Sequence, residues 1–177
     1  LNDEGRFVES MKGKTRGQHI EGGDADAPVP TAGAGNVLAR YLHSDRVDDL
    51  IARYRPGEGT AWYLADHLGT IRDIVNAAGQ LINHIDYDSF GNVIAETNPA
   101  AGDRFRFTGR EWDPELALYY YRARFYDPSL GRFISQDPIG FAAGDPNLYR
   151  YVGNAPLTFV DPSGLADAPA YAGILQR

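Results

Sequence analysis

No cysteine occurs in the 177 residues, which excludes disulfide staples, thiolate metal sites and cysteine nucleophiles together. Methionine occurs once, tryptophan twice and lysine twice, at Lys12 and Lys14. No apolar run approaches the roughly 18 residues that a membrane-spanning helix needs, so no such span is expected. Positive charge is short as well: 17 Lys and Arg stand against 24 Asp and Glu, a formal net charge of −7. That balance argues against a broad electrostatic grip on nucleic acid or anionic lipid. The chain opens at Leu1 without the basic, apolar and small-residue pattern of a signal peptide, and reads as a piece of something longer.

What is present is globular. Hydrophobic residues make up 43% and charged residues 23%, enough for the core of one ordinary domain. Residues 1–36 differ from the rest. Gly22 to Gly35 is small, polar and rich in Gly and Pro, and cannot bury enough apolar surface to offset its ordering entropy. This region reads as a flexible linker. In residues 37–54, Val47, Leu50, Ile51 and Tyr54 fall at the spacing of one helical face. A hairpin flanked by Tyr41-Leu42 and Ala52-Arg53-Tyr54 is the alternative, and periodicity favours the helix.

From Thr60 the character is β, with short apolar runs separated by Gly, Asn and Asp. Asp66-His67-Leu68-Gly69-Thr70-Ile71 repeats as Asp88-Ser89-Phe90-Gly91-Asn92-Val93, offset by 22 residues. In each copy Asp can accept amide hydrogen bonds two residues on, and Gly supplies the positive φ that closes a turn. Asn76-Ala77-Ala78-Gly79 turns between the segments Ile71–Val75 and Gln80–Tyr87. A period near 20 residues implies units that stack on neighbours to bury a face.

The region 103–165 is denser in motif. Arg104-Phe105-Arg106-Phe107 alternates strictly, and the run from Leu118 to Tyr126 reads as one strand closed by Asp127-Pro128. Five of the eleven prolines, Pro114, Pro128, Pro138, Pro146 and Pro162, directly follow Asp. Each Asp-Pro stops a strand, because proline pushes the preceding residue to extended geometry and fixes the turn. Six arginines between Arg104 and Arg132 imitate a nucleic-acid surface, but nearby acids nearly cancel them, and alternation makes the aromatics one buried face. His19, His43, His67 and His84 stand at spacings that match no metal site. No cofactor or metal is expected.

Tyr87-Asp88-Ser89-Phe90-Gly91-Asn92 resembles the YD repeat of Rhs proteins, and residues 104–165 resemble the Rhs repeat-associated core domain. The landmarks run in order: Phe107-Thr108-Gly109-Arg110-Glu111, Leu118 to Pro128, Gly131 to Gly140, Asn147 to Pro156, and Asp161-Pro162-Ser163-Gly164-Leu165. The resemblance implies a mainly β fold: short antiparallel strands in a curved open sheet, a fragment of a β-shell. Its parts are a YD-repeat segment over 37–102, a core (plug) region over 103–165 and a residual tail over 166–177.

The resemblance also implies a function. Rhs proteins are bacterial polymorphic-toxin carriers whose repeats form a hollow shell around a C-terminal toxin. In several of them the core block is an aspartyl autoprotease. Carried over, Asp137 and Asp161 match the two aspartates, Arg124 the assisting arginine with Arg122 as rival, and Leu165–Ala166 the bond cut. The implied partners are the upstream YD-repeat shell, a toxin domain absent from these residues, and secretion-system components. The implied location is secreted or cell-surface, by a specialised secretion route, in competition between bacteria. Taken by themselves, Asp137 and Asp161 are turn-forming residues of Asp-Pro pairs.

Two other readings stand beside this one. The chain is alternatively a non-catalytic extracellular YD-repeat module, with Tyr119–Tyr121 stacking on glycans or presented to a partner surface. It is otherwise an inactive truncated remnant. An open sheet this short also has unpaired strand edges, which favour self-association.

Overall fold

The computed structural model describes residues 8–11, 37–165 and 167–169. Seven strands lie in chain order in one antiparallel sheet: β1 (Val8–Met11), β2 (Val37–His43), β3 (Leu50–Arg55), β4 (Gly59–Ala65), β5 (Ile71–Asn76), β6 (Leu81–Tyr87) and β7 (Val93–Glu96). A second antiparallel sheet, in the order β11-β10-β9-β8, comprises β8 (Glu111–Asp113), β9 (Leu118–Tyr121), β10 (Arg124–Asp127) and β11 (Arg132–Phe133). A short pair, β12 (Phe159–Val160) with β13 (Ala168–Pro169), completes the described strands. The fold is mainly β, the large sheet is not closed, and no α-helix occurs among the described residues.

The meander follows from one turn used repeatedly. Asp66 Oδ1 accepts from the amides of Leu68 and Thr70, and Gly69 N–H donates to the Asp66 carbonyl. Asp88 does the same for Phe90, Asn92 and Gly91. Asn76 makes a third copy, its Oδ1 accepting from Ala78 and Gln80 while Gly79 donates to its carbonyl. Gly69, Gly79 and Gly91 all have φ between 77° and 90°, the left-handed region that glycine enters without cost to a Cβ. Strand after strand therefore reverses onto its predecessor.

Two aromatic-rich cores lie beneath the sheets. Tyr41, Tyr63, Ile71 and Ile74 form the first with Phe105. Ile85, Phe107, Tyr119, Tyr121, Tyr126, Phe133 and Tyr151 dominate the second. Arg104-Phe105-Arg106-Phe107 is not a strand, contrary to its alternation. It makes one isolated bridge, Phe105 to Glu111, and sends one phenylalanine into each core. Tyr119 and Tyr126 donate hydroxyls to the Gly91 and Phe90 carbonyls, which fastens the last YD turn onto the second sheet.

One open alternative is decided, one expectation is corrected, and part of the linker stretch is described. Residues 37–54 form the β2–β3 hairpin rather than a helix. Val47 is exposed in a turn closed by Ser44 and Asp49, and Asp48 takes φ 61°, which no helix accommodates. Leu118 to Tyr126 is not one strand but two, β9 and β10, hinged at Arg122 with φ 57°. Within the expected linker 1–36, Val8–Met11 pairs with β2 as β1; the remainder of that stretch lies outside the described residues.

Candidate functional site

Asp137 and Asp161 sit in two copies of one Asp-Pro-x-Gly turn, and each divides the work of its two oxygens. Asp137 Oδ1 accepts from Ile139 N–H at 3.0 Å, and Gly140 N–H closes onto the Asp137 carbonyl. Asp161 Oδ1 accepts from Gly164 N–H at 2.9 Å and Leu165 N–H at 3.1 Å, with Ser163 Oγ at 3.2 Å. The other oxygens converge: Asp137 Oδ2 and Asp161 Oδ2 lie 3.1 and 3.2 Å from the same nitrogen, Nη2 of Arg124. All three side chains are buried, Asp161 almost completely. The acids stand 24 positions apart in the chain, and the segment between them folds back to bring them together.

Arg124, the first residue of β10, is held on every side. Its Nε donates to the Gly164 carbonyl at 2.6 Å and its Nη1 to the Leu148 carbonyl at 3.3 Å. The guanidinium carbon stands 3.6 Å above the buried Phe133 ring, a desolvated cation–π contact. Leu148 also accepts from Asp137 N–H at 2.9 Å, so one carbonyl joins the arginine and one aspartate. Such a fork is matched to carboxylates as a lysine ammonium would not be.

The Asp161–Leu165 turn is packed as tightly as it is bonded. Gly164 has φ 72°, and a Cβ there would overlap the Tyr121 carbonyl oxygen. Ala123 N–H donates to the Ser163 carbonyl at 3.3 Å, tying the turn to the β9–β10 hairpin. Leu165 is described; Ala166, on the other side of the expected scissile bond, lies outside the described residues. Beyond it, Asp167 is a carboxylate that sequence reasoning did not single out. Partial desolvation, with the charges of Asp161 and Asp145, raises its pKa above the ordinary carboxylate value.

Arg122 does not join this group. It extends instead to Asp48, with Nη2 2.7 Å from Asp48 Oδ1, whereas Arg124 touches both aspartates. The tyrosine face expected for glycan stacking is not assembled either: Tyr119 and Tyr121 are fully buried, and only Tyr120 is exposed. Asp88 spends Oδ1 on two amides and Oδ2 on Asn92 Nδ2 at 2.7 Å. No group of three or more metal-ligating side chains occurs among the described residues.

A sequentially wound, open antiparallel sheet capped by a tyrosine-rich second sheet defines a fragment of a YD-repeat β-shell. Residues 38–157 match the Teneurin YD-shell family, and the chain belongs to it. It is 40% identical over 119 residues to the protein YibJ of Escherichia coli, covering 67% of this chain and 50% of that one. It is 43% identical over 105 residues to toxin protein Tse5 of Pseudomonas aeruginosa, covering 59% of this chain and 8% of that one. The crystal structure of TcdB2-TccC3 superposes with a TM-score of 0.58 at 30% identity, over 72% of this chain and 6% of that one. The chain thus spans half of one relative and under a tenth of the two toxin-related ones, and is related to a small part of large Rhs-type toxin proteins.

Proposed function

We propose that this chain is the C-terminal core piece of an Rhs-type toxin-encapsulating delivery protein and that it cuts itself after Leu165. The observation that carries the reading is the convergence of Asp137 Oδ2 and Asp161 Oδ2 on one Arg124 nitrogen, beside the Gly164 carbonyl that the same arginine holds. In an aspartyl dyad the work is divided, one carboxyl accepting a proton and the other donating one. In this reading one aspartate takes a proton from water as it attacks the Leu165 carbonyl carbon. The other delivers a proton to the departing nitrogen, the C–N bond breaks, and a Leu165 carboxylate and an Ala166 amine result. Arg124 orients both acids and keeps the strand end and the turn in register.

The remaining parts of the reading rest on the resemblance to Rhs proteins. Upstream YD repeats complete the shell, the chain beyond Leu165 leads to an enclosed toxin, and a specialised secretion route takes the assembly out of the bacterium to act on competitors. The similarity to toxin protein Tse5 and to TcdB2-TccC3 supports this context.

The test is the intact mass of the full chain carrying a C-terminal reporter, alone and preceded by additional repeats. Loss of everything after Leu165, abolished by Asp137→Asn or Asp161→Asn with the fold retained, is expected. An uncut wild-type chain in both forms removes the enzyme and leaves a structural shell piece.

A further inference from the structure

Asp48, in the turn between β2 and β3, reaches across from the YD-repeat sheet to the core block. Its Oδ1 lies 2.6 Å from Arg110 Nη1 and 2.7 Å from Arg122 Nη2, and its Oδ2 accepts from Arg122 Nη1 at 3.1 Å. The Arg122 contact is therefore a bidentate fork, the most orientation-specific pairing a guanidinium makes. Both arginines continue to one acceptor. Arg110 Nη1 lies 3.5 Å from the Pro162 carbonyl, and Arg122 Nη1 donates to the same oxygen. Pro162 is the residue after Asp161, inside the turn that ends at Leu165.

This carboxylate is fixed from behind. Asp48 holds φ 61°, uncommon for a residue with a Cβ. Gly109, next to Arg110, packs so closely on the Asp48 carbonyl that any side chain there would overlap it. Arg110 is buried, donates its Nε to the Tyr120 carbonyl at 3.1 Å and lies 5.5 Å over the Tyr121 ring. The chain of contacts runs without a gap from the β2–β3 hairpin through two guanidiniums to the backbone beside Asp161.

We propose that Asp48 is a positioning residue for the Asp161–Leu165 turn, so that the turn takes its cutting geometry only once the YD-repeat sheet has docked on the core block. The inference rests on the self-cleavage reading for what the turn does, but not for how it is held. Asp48 touches neither the acids nor the bond. It acts through Arg110 and Arg122, and makes cleavage conditional on the part of the shell that precedes the core.

The test uses the full chain with its C-terminal reporter, comparing wild type, Asp48→Asn and Asp48→Glu. Amide hydrogen exchange at Gly164 and Leu165 reads the turn directly, and intact mass against time reads cleavage. Asp48→Asn is expected to speed exchange at these two amides by tenfold or more, with β4–β6 amides unchanged, and to slow cleavage by a similar factor. Asp48→Glu, which keeps the charge, is expected to recover most of both. Selective loosening in a chain whose wild type is never cut sinks the self-cleavage reading and leaves the positioning role standing. Wild-type cutting with no selective loosening in Asp48→Asn overturns the positioning role and spares the cleavage. Exchange that rises equally at every strand reduces Asp48 to a general staple and overturns it too.

Discussion

Arg53 Nη1 lies 2.7 Å from Asp103 Oδ2, with each side chain 1% exposed, and this pair joins the middle of the large sheet to the first residue of the core block. Tyr63 donates its hydroxyl to the same oxygen at 2.5 Å and Tyr41 to Asp103 Oδ1 at 2.9 Å. Arg53 also reaches the Gly102 and Ala101 carbonyls, so the charges are enclosed in a satisfied network. Burial, with the charge of Asp103, pushes the Tyr41 hydroxyl up to about 12, which keeps it a donor.

Removing one member of such a network leaves the other buried and uncompensated. Asp103→Ala is expected to cost about 3–5 kcal/mol of folding stability, read from urea unfolding. The pair also sets a pH dependence. Burial alone would raise the Asp103 carboxyl, but the hydrogen bonds from Tyr63 and Arg53 and the charges of Arg53 and Arg55 outweigh it and hold it below the usual range. The stability it contributes is present above the carboxylate's unfolded value and is lost as pH falls through the folded one. Asp103→Asn should flatten the acid limb of the stability curve.

Gly79 and Gly91 occupy the same place in two copies of one turn, at φ 77° and 90°, but their surroundings differ. Around Gly79 a Cβ would meet open space, whereas at Gly91 it would come within 2.5 Å of the Phe107 ring. Gly79→Ala therefore isolates the backbone cost, about 1–2 kcal/mol for a left-handed residue. Gly91→Ala adds displacement of a buried aromatic and is expected to cost about 1–3 kcal/mol more. Equal losses in thermal unfolding would show that the ring yields freely.

His84 and Asp73 face each other across β5 and β6, with Nδ1 2.6 Å from the carboxylate. The hydrogen bond to Asp73 is the largest influence, and with the charges of Asp73 and Asp86 it raises the imidazole above its ordinary value. Stability from the pair is complete below the unfolded imidazole value and is lost as pH rises through the folded one. The pair is solvent-exposed, so His84→Asn should remove a small slope through neutrality, and added salt should shrink that slope in wild type.

How much the residues disclosed depended on distance along the chain. The turns at Asp66 and Asp88 are legible because an Asx turn is made within five residues. The third copy at Asn76 carries the same acceptor on an amide and reads in the sequence only as a turn. Val47, Leu50, Ile51 and Tyr54 mislead because a bulged hairpin places apolar residues at helical spacing by coincidence of register. Arg122 and Arg124 are alike in sequence. The left-handed turn at Arg122 aims it at Asp48, 74 residues away, while Arg124 in β10 faces the acids. No local pattern carries a contact of that span, and nothing around Asp48 in the sequence marks it.

The pairing of Val160 with Ala168 and Phe159 with Pro169 places the Leu165–Ala166 bond between two strands that already hold each other. A break there would be a nick in a clasped loop rather than a parting. The new termini would stay side by side, tethered by a ladder of two residues in which Pro169 has no N–H to offer. Scission and departure would then be separate events with separate clocks. A denaturing separation would see two pieces while a native one still saw a single particle.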